Sequence, residues 1–107
     1  MLKRNKRRYV ALELECDNTP GLEVFSDSLW TAISKLYGEY GASKTGLAVI
    51  EYNPDKKIAI VRVHANAIWM IRAAIASMTR LTDNPVATHV TRISGTLKSL
   101  RTKLQNR

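Results

Sequence analysis

A chain of 107 residues, 45% of them apolar, suffices for one compact domain over residues 1–107 and is too short for two. It contains no run near the roughly eighteen apolar residues that span a bilayer, and it is charged from Lys3 with no apolar signal region, so the expectation is a cytoplasmic protein without membrane contact. One cysteine, Cys16, excludes an internal disulfide and a cysteine-based metal cluster; a small half-buried residue near a strand end, in a reducing compartment, is expected.

The formal net charge is +8, from 17 Lys and Arg against 9 Asp and Glu. The excess sits in two tails. Lys3, Arg4, Lys6, Arg7 and Arg8 occupy residues 1–8; Lys98, Arg101, Lys103 and Arg107 occupy residues 96–107; neither tail holds an acid. Between them the chain is nearly neutral. Two concentrated blocks point to a polyanionic partner more than to a solubility device.

In chain order, "RYVALELEC" alternates, with Val10, Leu12 and Leu14 on one face, and predicts a half-buried strand. "DNTPG" breaks it, with Thr19 as helix cap and Pro20 in the first turn. Phe25, Leu29, Ile33, Leu36 and Tyr40 then recur at helical spacing and predict one core-facing stripe. "TGLAVIEY" and "KIAIVRVH", joined by "NPDK", read as a hairpin. Asn66 is placed to cap a second helix with the stripe Ile68, Ile71, Ile75 and Met78. Trp69, Met70, Ala73, Ala74 and Ala76 widen its apolar surface. "DNP" ends that helix, "VATHVTRI" is a fourth strand, and Leu97, Leu100 and Leu104 mark a short basic helix.

This order predicts an α+β ferredoxin-like βαββαβ sandwich. Its antiparallel sheet has strand order 4-1-3-2, two helices cover one face, and a short C-terminal helix follows. In that order the end of the fourth strand lies beside the start of the first, so both basic blocks are expected at one corner. "KIAIVRVH" carries no aromatic, so bases are not expected to stack on the sheet. Ile58 and Ile60 share a face with Arg62 and His64, which predicts a second covered face, under the tail-helix leucines or a partner.

"YGEYGASKTGL" comes within one glycine of a phosphate-cradling loop. Such a loop runs from strand to helix, whereas here a helix ends near Gly38 and a strand begins near Thr45. Gly38 and Gly41 are therefore read as helix-terminating glycines with positive φ. Lys44 remains an isolated charge able to touch a phosphate. His64 and His89 have no acid at a spacing that makes a general base or metal ligand, and no serine lies in a nucleophile-elbow pattern. No catalytic residue, metal ligand or cofactor is assigned.

The stretch "YGEYGASKTGLAVIEYNPDKKIAIVRVHANAIWMIRAAIASMT", followed by "TRISGTLKSLRTKL", resembles archaeal ribonuclease P protein component 2, the small ferredoxin-like subunit shared by archaeal and eukaryotic ribonuclease P. The resemblance runs from Arg8 to Leu104; its most specific pieces are "GEYGASK", "GLAVIEY" and "RISGT-K". It implies a protein that helps a catalytic RNA remove the 5′ leader of precursor tRNA, with Mg²⁺ held by the RNA. It also implies pairing with the barrel-shaped ribonuclease P protein component 3 and a possible self-dimer within a heterotetramer. The RNA-contact candidates are Lys3, Arg4, Lys6, Arg7, Arg8, Lys44, Arg92, Ser94, Thr96, Lys98, Arg101 and Lys103. Ile68, Trp69, Met70 and Ala73 are the candidates for a protein-docking face, or else core. Three rivals share the topology: an RNA-binding subunit of another ribonucleoprotein, an acylphosphatase-like hydrolase, and a small-molecule regulatory module. The hydrolase needs an arginine in the loop after the first strand, and "CDNTPG" has none.

Overall fold

A computed structural model of the chain describes residues 6–81 and 84–105; the candidates Lys3 and Arg4, and Arg107 of the C-terminal block, lie outside these residues. The elements are β1 (Arg7–Glu15), α1 (Leu22–Ser43), β2 (Ala48–Asn53), β3 (Ile58–His64), a 3₁₀ turn (Ala65–Ala67), α2 (Ile68–Ser77), a ribbon of β4 (Arg80–Leu81) and β5 (Asn84–Pro85), β6 (Ala87–Ser94) and α3 (Leu97–Gln105). The four long strands form an antiparallel sheet in the order β2-β3-β1-β6, which is the expected ferredoxin-like order.

The alternation in β1 decides which residues lie inside. Val10, Leu12 and Leu14 are buried in the main core with Ala59, Val61 and Val63 of β3, against Phe25, Leu29 and Ile33 of α1 and Ile71, Ala74 and Ile75 of α2. The opposite face has its own small core. Ala11, Ile60 and Leu100 are buried there, with Tyr9, Ile50, Leu97 and Leu104 packed around them. The basic tail helix is therefore the cover of the second face. Full burial of Leu100 alone contributes about 2 kcal/mol.

Four local expectations differ from the structure. Helix α1 is capped by Gly21, whose carbonyl accepts from Phe25 N–H at 3.1 Å, so Thr19 and Pro20 precede the helix. Its core stripe stops at Ile33: Leu36 is 48% exposed and Tyr40 75%. Gly38, at φ 75° and ψ 169°, breaks the helix, so residues beyond it no longer follow the periodicity set before it. Helix α2 stops at Ser77, short of "DNP", where the Ser77 hydroxyl donates to the Ala74 carbonyl at 2.7 Å. Asn66 sits within the 3₁₀ turn that leads into α2 and is not its cap.

The β2–β3 turn uses the chemistry of its sequence. Asn53 Oδ1 accepts from Lys56 N–H at 3.0 Å, and Lys57 adopts φ 59°. Lys57 Nζ then donates to the carbonyl of Cys16, the half-buried residue just past β1. Tyr52 stacks on Phe25 with centroids 4.9 Å apart and donates to the Pro20 carbonyl. Burial, then the nearby Cys16 thiol, pushes its phenol above the usual range.

Candidate nucleic-acid interface

The loop that nearly matches a phosphate cradle is closed on itself. Lys44 N–H and Thr45 N–H donate to the carbonyls of Gly41 and Ala42 at 3.1 and 3.2 Å, so neither is offered to a phosphate. The Thr45 hydroxyl donates to Ala42 O at 2.8 Å and accepts from Leu47 N–H, and Thr45 is fully buried. Lys44 is exposed with its ammonium 4.8 Å from the Tyr40 ring centroid. Gly38 has the positive φ expected of it, but Gly41 does not. Gly41 lies in the helical run, where a Cβ would stand 2.8 Å from Tyr37 Cβ. The second glycine with positive φ is Gly46, which the sequence reading passed over.

The sheet brings the two basic blocks together where they join it. Tyr9 pairs with Ser94 and Arg7 with His64. The Lys6 carbonyl accepts from Ala65 N–H at 2.6 Å, which ties the N-terminal block to the entry of α2. A Cβ on Gly95 would lie 3.9 Å from Arg8 Nη1, so the strand ends adjoin. Lys6, Arg7 and Lys98 are exposed and Arg8 half-buried. One of the candidates faces inward at this corner, Ser94 at 6% exposed, while Thr96 is exposed and its hydroxyl accepts from Ser99 N–H at 3.1 Å, capping α3.

The corner does not gather every tail charge. Helix α3 folds back across the sheet to bury its leucines, and it carries its cations with it. Arg101 ends in an ion pair with Glu51 of β2. Lys103 lines the same cleft as Arg92 of β6. The described charges of the single patch expected from strand order are thus divided between the corner and two flanks of α3. Arg62 was noted in the sequence only as a sheet-face residue. It shares its face with Tyr9, and its Nε has no hydrogen-bond partner among the described residues.

The other end of the sheet has the opposite sign. A cleft of about 500 Å³ there is lined by Glu13, Glu15, Asp17 and His89, with Lys57 as the one Lys or Arg among the described residues that line it. His89 Nε2 lies 3.1 Å from Glu15 Oε2 on the exposed strand surface. This is the loop where an acylphosphatase would hold its anion. Its carboxylates repel a phosphate, which removes the physical basis of that rival. Among the described residues no three His, Cys, Asp or Glu side chains group closely enough to hold a metal.

On α2 the apolar surface divides. Ile71, Ala74 and Ile75 are core, and Ile68 and Met70 are half-buried. Trp69 is 62% exposed, and Ala73 and Ala76 also face solvent. The Trp69 ring meets Tyr37 edge-on at 5.4 Å, and Met70 Cε lies near Gly41. The Tyr37–Trp69 pair thus leaves an exposed aromatic ring at the junction of the two helices. No helix among the described residues is long and apolar enough to cross a membrane.

These features define an α+β ferredoxin-like domain, sealed on both sheet faces, basic at one end and acidic at the other. The same fold occurs in a chain of the yeast ribonuclease MRP cryo-EM structure, at TM-score 0.71 and 12% identity, over 99% of this chain and 97% of that one. The model of the Rpp14/Pop5 family matches residues 8–105, and the chain belongs to that family. Curated relatives named ribonuclease P protein component 2 include those of Halobacterium salinarum (30% identical over 92% of this chain and 62% of that protein) and Pyrococcus furiosus (24%, over 94% and 83%). That of Halorubrum lacusprofundi is 31% identical over 97% of this chain and 68% of that protein. The chain therefore spans less than two thirds of the length of the Halobacterium relative.

Proposed function

We propose that the chain is a protein subunit of ribonuclease P that supports a catalytic RNA in removing the 5′ leader of precursor tRNA. The observation that carries this reading is the family match over residues 8–105, within which relatives bear the name ribonuclease P protein component 2. The charge distribution supports it. Folding an RNA crowds its phosphates, and fixed Lys and Arg side chains lower the demand for free cations. The basic corner offers such charges, while the acidic end disfavours contact and so orients the subunit. Helix α3 occupies the sheet face on which other RNA-binding domains of this topology stack bases, so recognition falls to the edges and ends. The Mg²⁺ that activates water belongs on RNA phosphates in this reading, and the whole chain acts as one domain of a cytoplasmic particle.

The exposed surface around Trp69 is the docking face for the barrel-shaped component 3, whether or not two copies of the chain then meet in a heterotetramer. Trp69→Glu is expected to weaken that association at least tenfold by calorimetry while leaving the melting temperature within a few degrees, because the ring is largely exposed. Unfolding of the variant would mark Trp69 as core instead.

The deciding experiment is reconstitution. The chain alone is expected to cut no precursor tRNA. Added with component 3 to the cognate RNA, it is expected to raise the cleavage rate at low Mg²⁺. Cleavage without RNA overturns the division of labour, and recovery of a different RNA with the chain assigns it to another particle.

A further inference from the structure

We propose that the open edge of β6 is a second phosphodiester-binding track, built by Arg72, Arg92 and Lys103 and lined by none of the N-terminal basic residues. It rests on the ribonuclease P reading and assigns that function a site. β6 is an outer strand of the sheet, with α2 on one face and α3 on the other. A cleft of about 630 Å³ wraps this edge, lined by Arg72 from α2, Val90, Thr91, Arg92 and Ile93 from β6, and Lys103 from α3. Three cations from three elements thus border one cleft, and among the described residues no carboxylate lines it. All three are exposed. A neighbouring cleft of about 470 Å³ shares Lys103 and continues past Ser99 and Thr102 to Lys98 and Thr96. Basic and hydroxyl groups therefore border a path from the α2 side of the sheet, across the edge and along the outside of α3.

The chemistry favours a polynucleotide backbone. Guanidinium groups bind phosphate oxygens in pairs, and Lys adds a point charge. An acidic peptide added as a further strand would need a regular edge. Here the β1–β6 register shifts between Ala11 and Leu12, and Thr91, the extra residue, turns its hydroxyl to Ala11 O at 3.3 Å. A bulge of this kind bends and twists the edge away from strand addition.

The test measures binding of the full chain to ribonuclease P RNA against salt concentration, for the wild type, Arg72→Gln, the triple variant with Arg92→Gln and Lys103→Gln, and a Lys56→Gln control on the opposite side of the sheet. Each phosphate contact contributes about 0.7–0.9 to the slope of log affinity on log salt, so the triple variant is expected to lose about two units and Arg72→Gln just under one. The control is expected to match the wild type, and all variants to keep its melting temperature. A triple-variant slope equal to that of a wild type that binds overturns the track and leaves the ribonuclease P reading standing. A wild type that does not bind the RNA overturns both. An unchanged RNA slope with weakened binding of a protein partner assigns the cleft to an acidic peptide and overturns the proposal.

Discussion

Gly46→Ala is expected to destabilise the protein by about 3 kcal/mol, lowering the melting temperature by more than 10 °C. Two independent costs combine. Gly46 sits at φ 66°, a conformation that costs an L-residue about 1–2 kcal/mol. A Cβ there would also overlap the imidazole of His64. The His64 backbone cannot shift to relieve this, because its N–H donates to the Thr45 carbonyl at 2.8 Å and His64 pairs with Arg7 in the sheet, so the half-buried ring itself must turn. Urea denaturation of Gly46→Ala, His64→Ala and the double variant separates the two terms. Removing the imidazole should recover the overlap and leave the backbone cost, so the double variant should be less unstable than the sum of the singles. A loss below about 1 kcal/mol, or no coupling between the two sites, would refute this account. The site matters beyond stability, since His64 and Thr45 hold the end of β3 beside Arg7, at the basic corner.

Gly46 also marks a limit on what was legible. Its neighbours Ser43, Lys44 and Thr45 drew attention because they resemble a phosphate loop, yet the decisive constraint is a contact with a residue eighteen positions later. Local patterns carry no information about such a contact. The strands were legible because period-two alternation is local, and so was the role of α3, whose leucines needed an apolar partner that Ile60 on the second face supplies. The helix stripe was legible only as far as Ile33: Leu36 is already exposed, and Gly38, whose positive φ was expected, resets the helix before Tyr40. The RNA-contact candidates were found by charge, a property of residues one at a time. Their grouping was not, since it depends on the direction in which α3 crosses the sheet. That direction takes Arg101 to Glu51 and Lys103 to the β6 edge, and it brings in Arg72, which nothing in the α2 pattern distinguished.

Replacing Lys3, Arg4, Lys6, Arg7 and Arg8 together by alanine is expected to weaken binding to the cognate RNA by roughly a hundredfold at low salt and to flatten the salt slope by about three units. The structure supplies the reason to expect Lys6, Arg7 and Arg8 to act as a group. Lys6 and Arg7 are exposed, Arg8 is turned so that its Nη1 donates to the Arg7 carbonyl at 3.0 Å, and the backbone beneath them is fixed by pairing with β3 and by the Ala65 N–H. A block held at the sheet loses less freedom on meeting phosphates than a free tail does, so more of its Coulomb attraction remains as affinity. None of Lys6, Arg7 and Arg8 lines the β6 cleft, so the slopes removed by the tail variant and by the Arg72, Arg92 and Lys103 variant should add. If the tail variant keeps the wild-type slope, the block is solvated and the β6 edge carries the RNA alone. If the combined variant loses no more than either part, the two surfaces compete for the same phosphates. With additive slopes, the RNA touches the subunit along its basic end and around one edge, and its acidic end faces away.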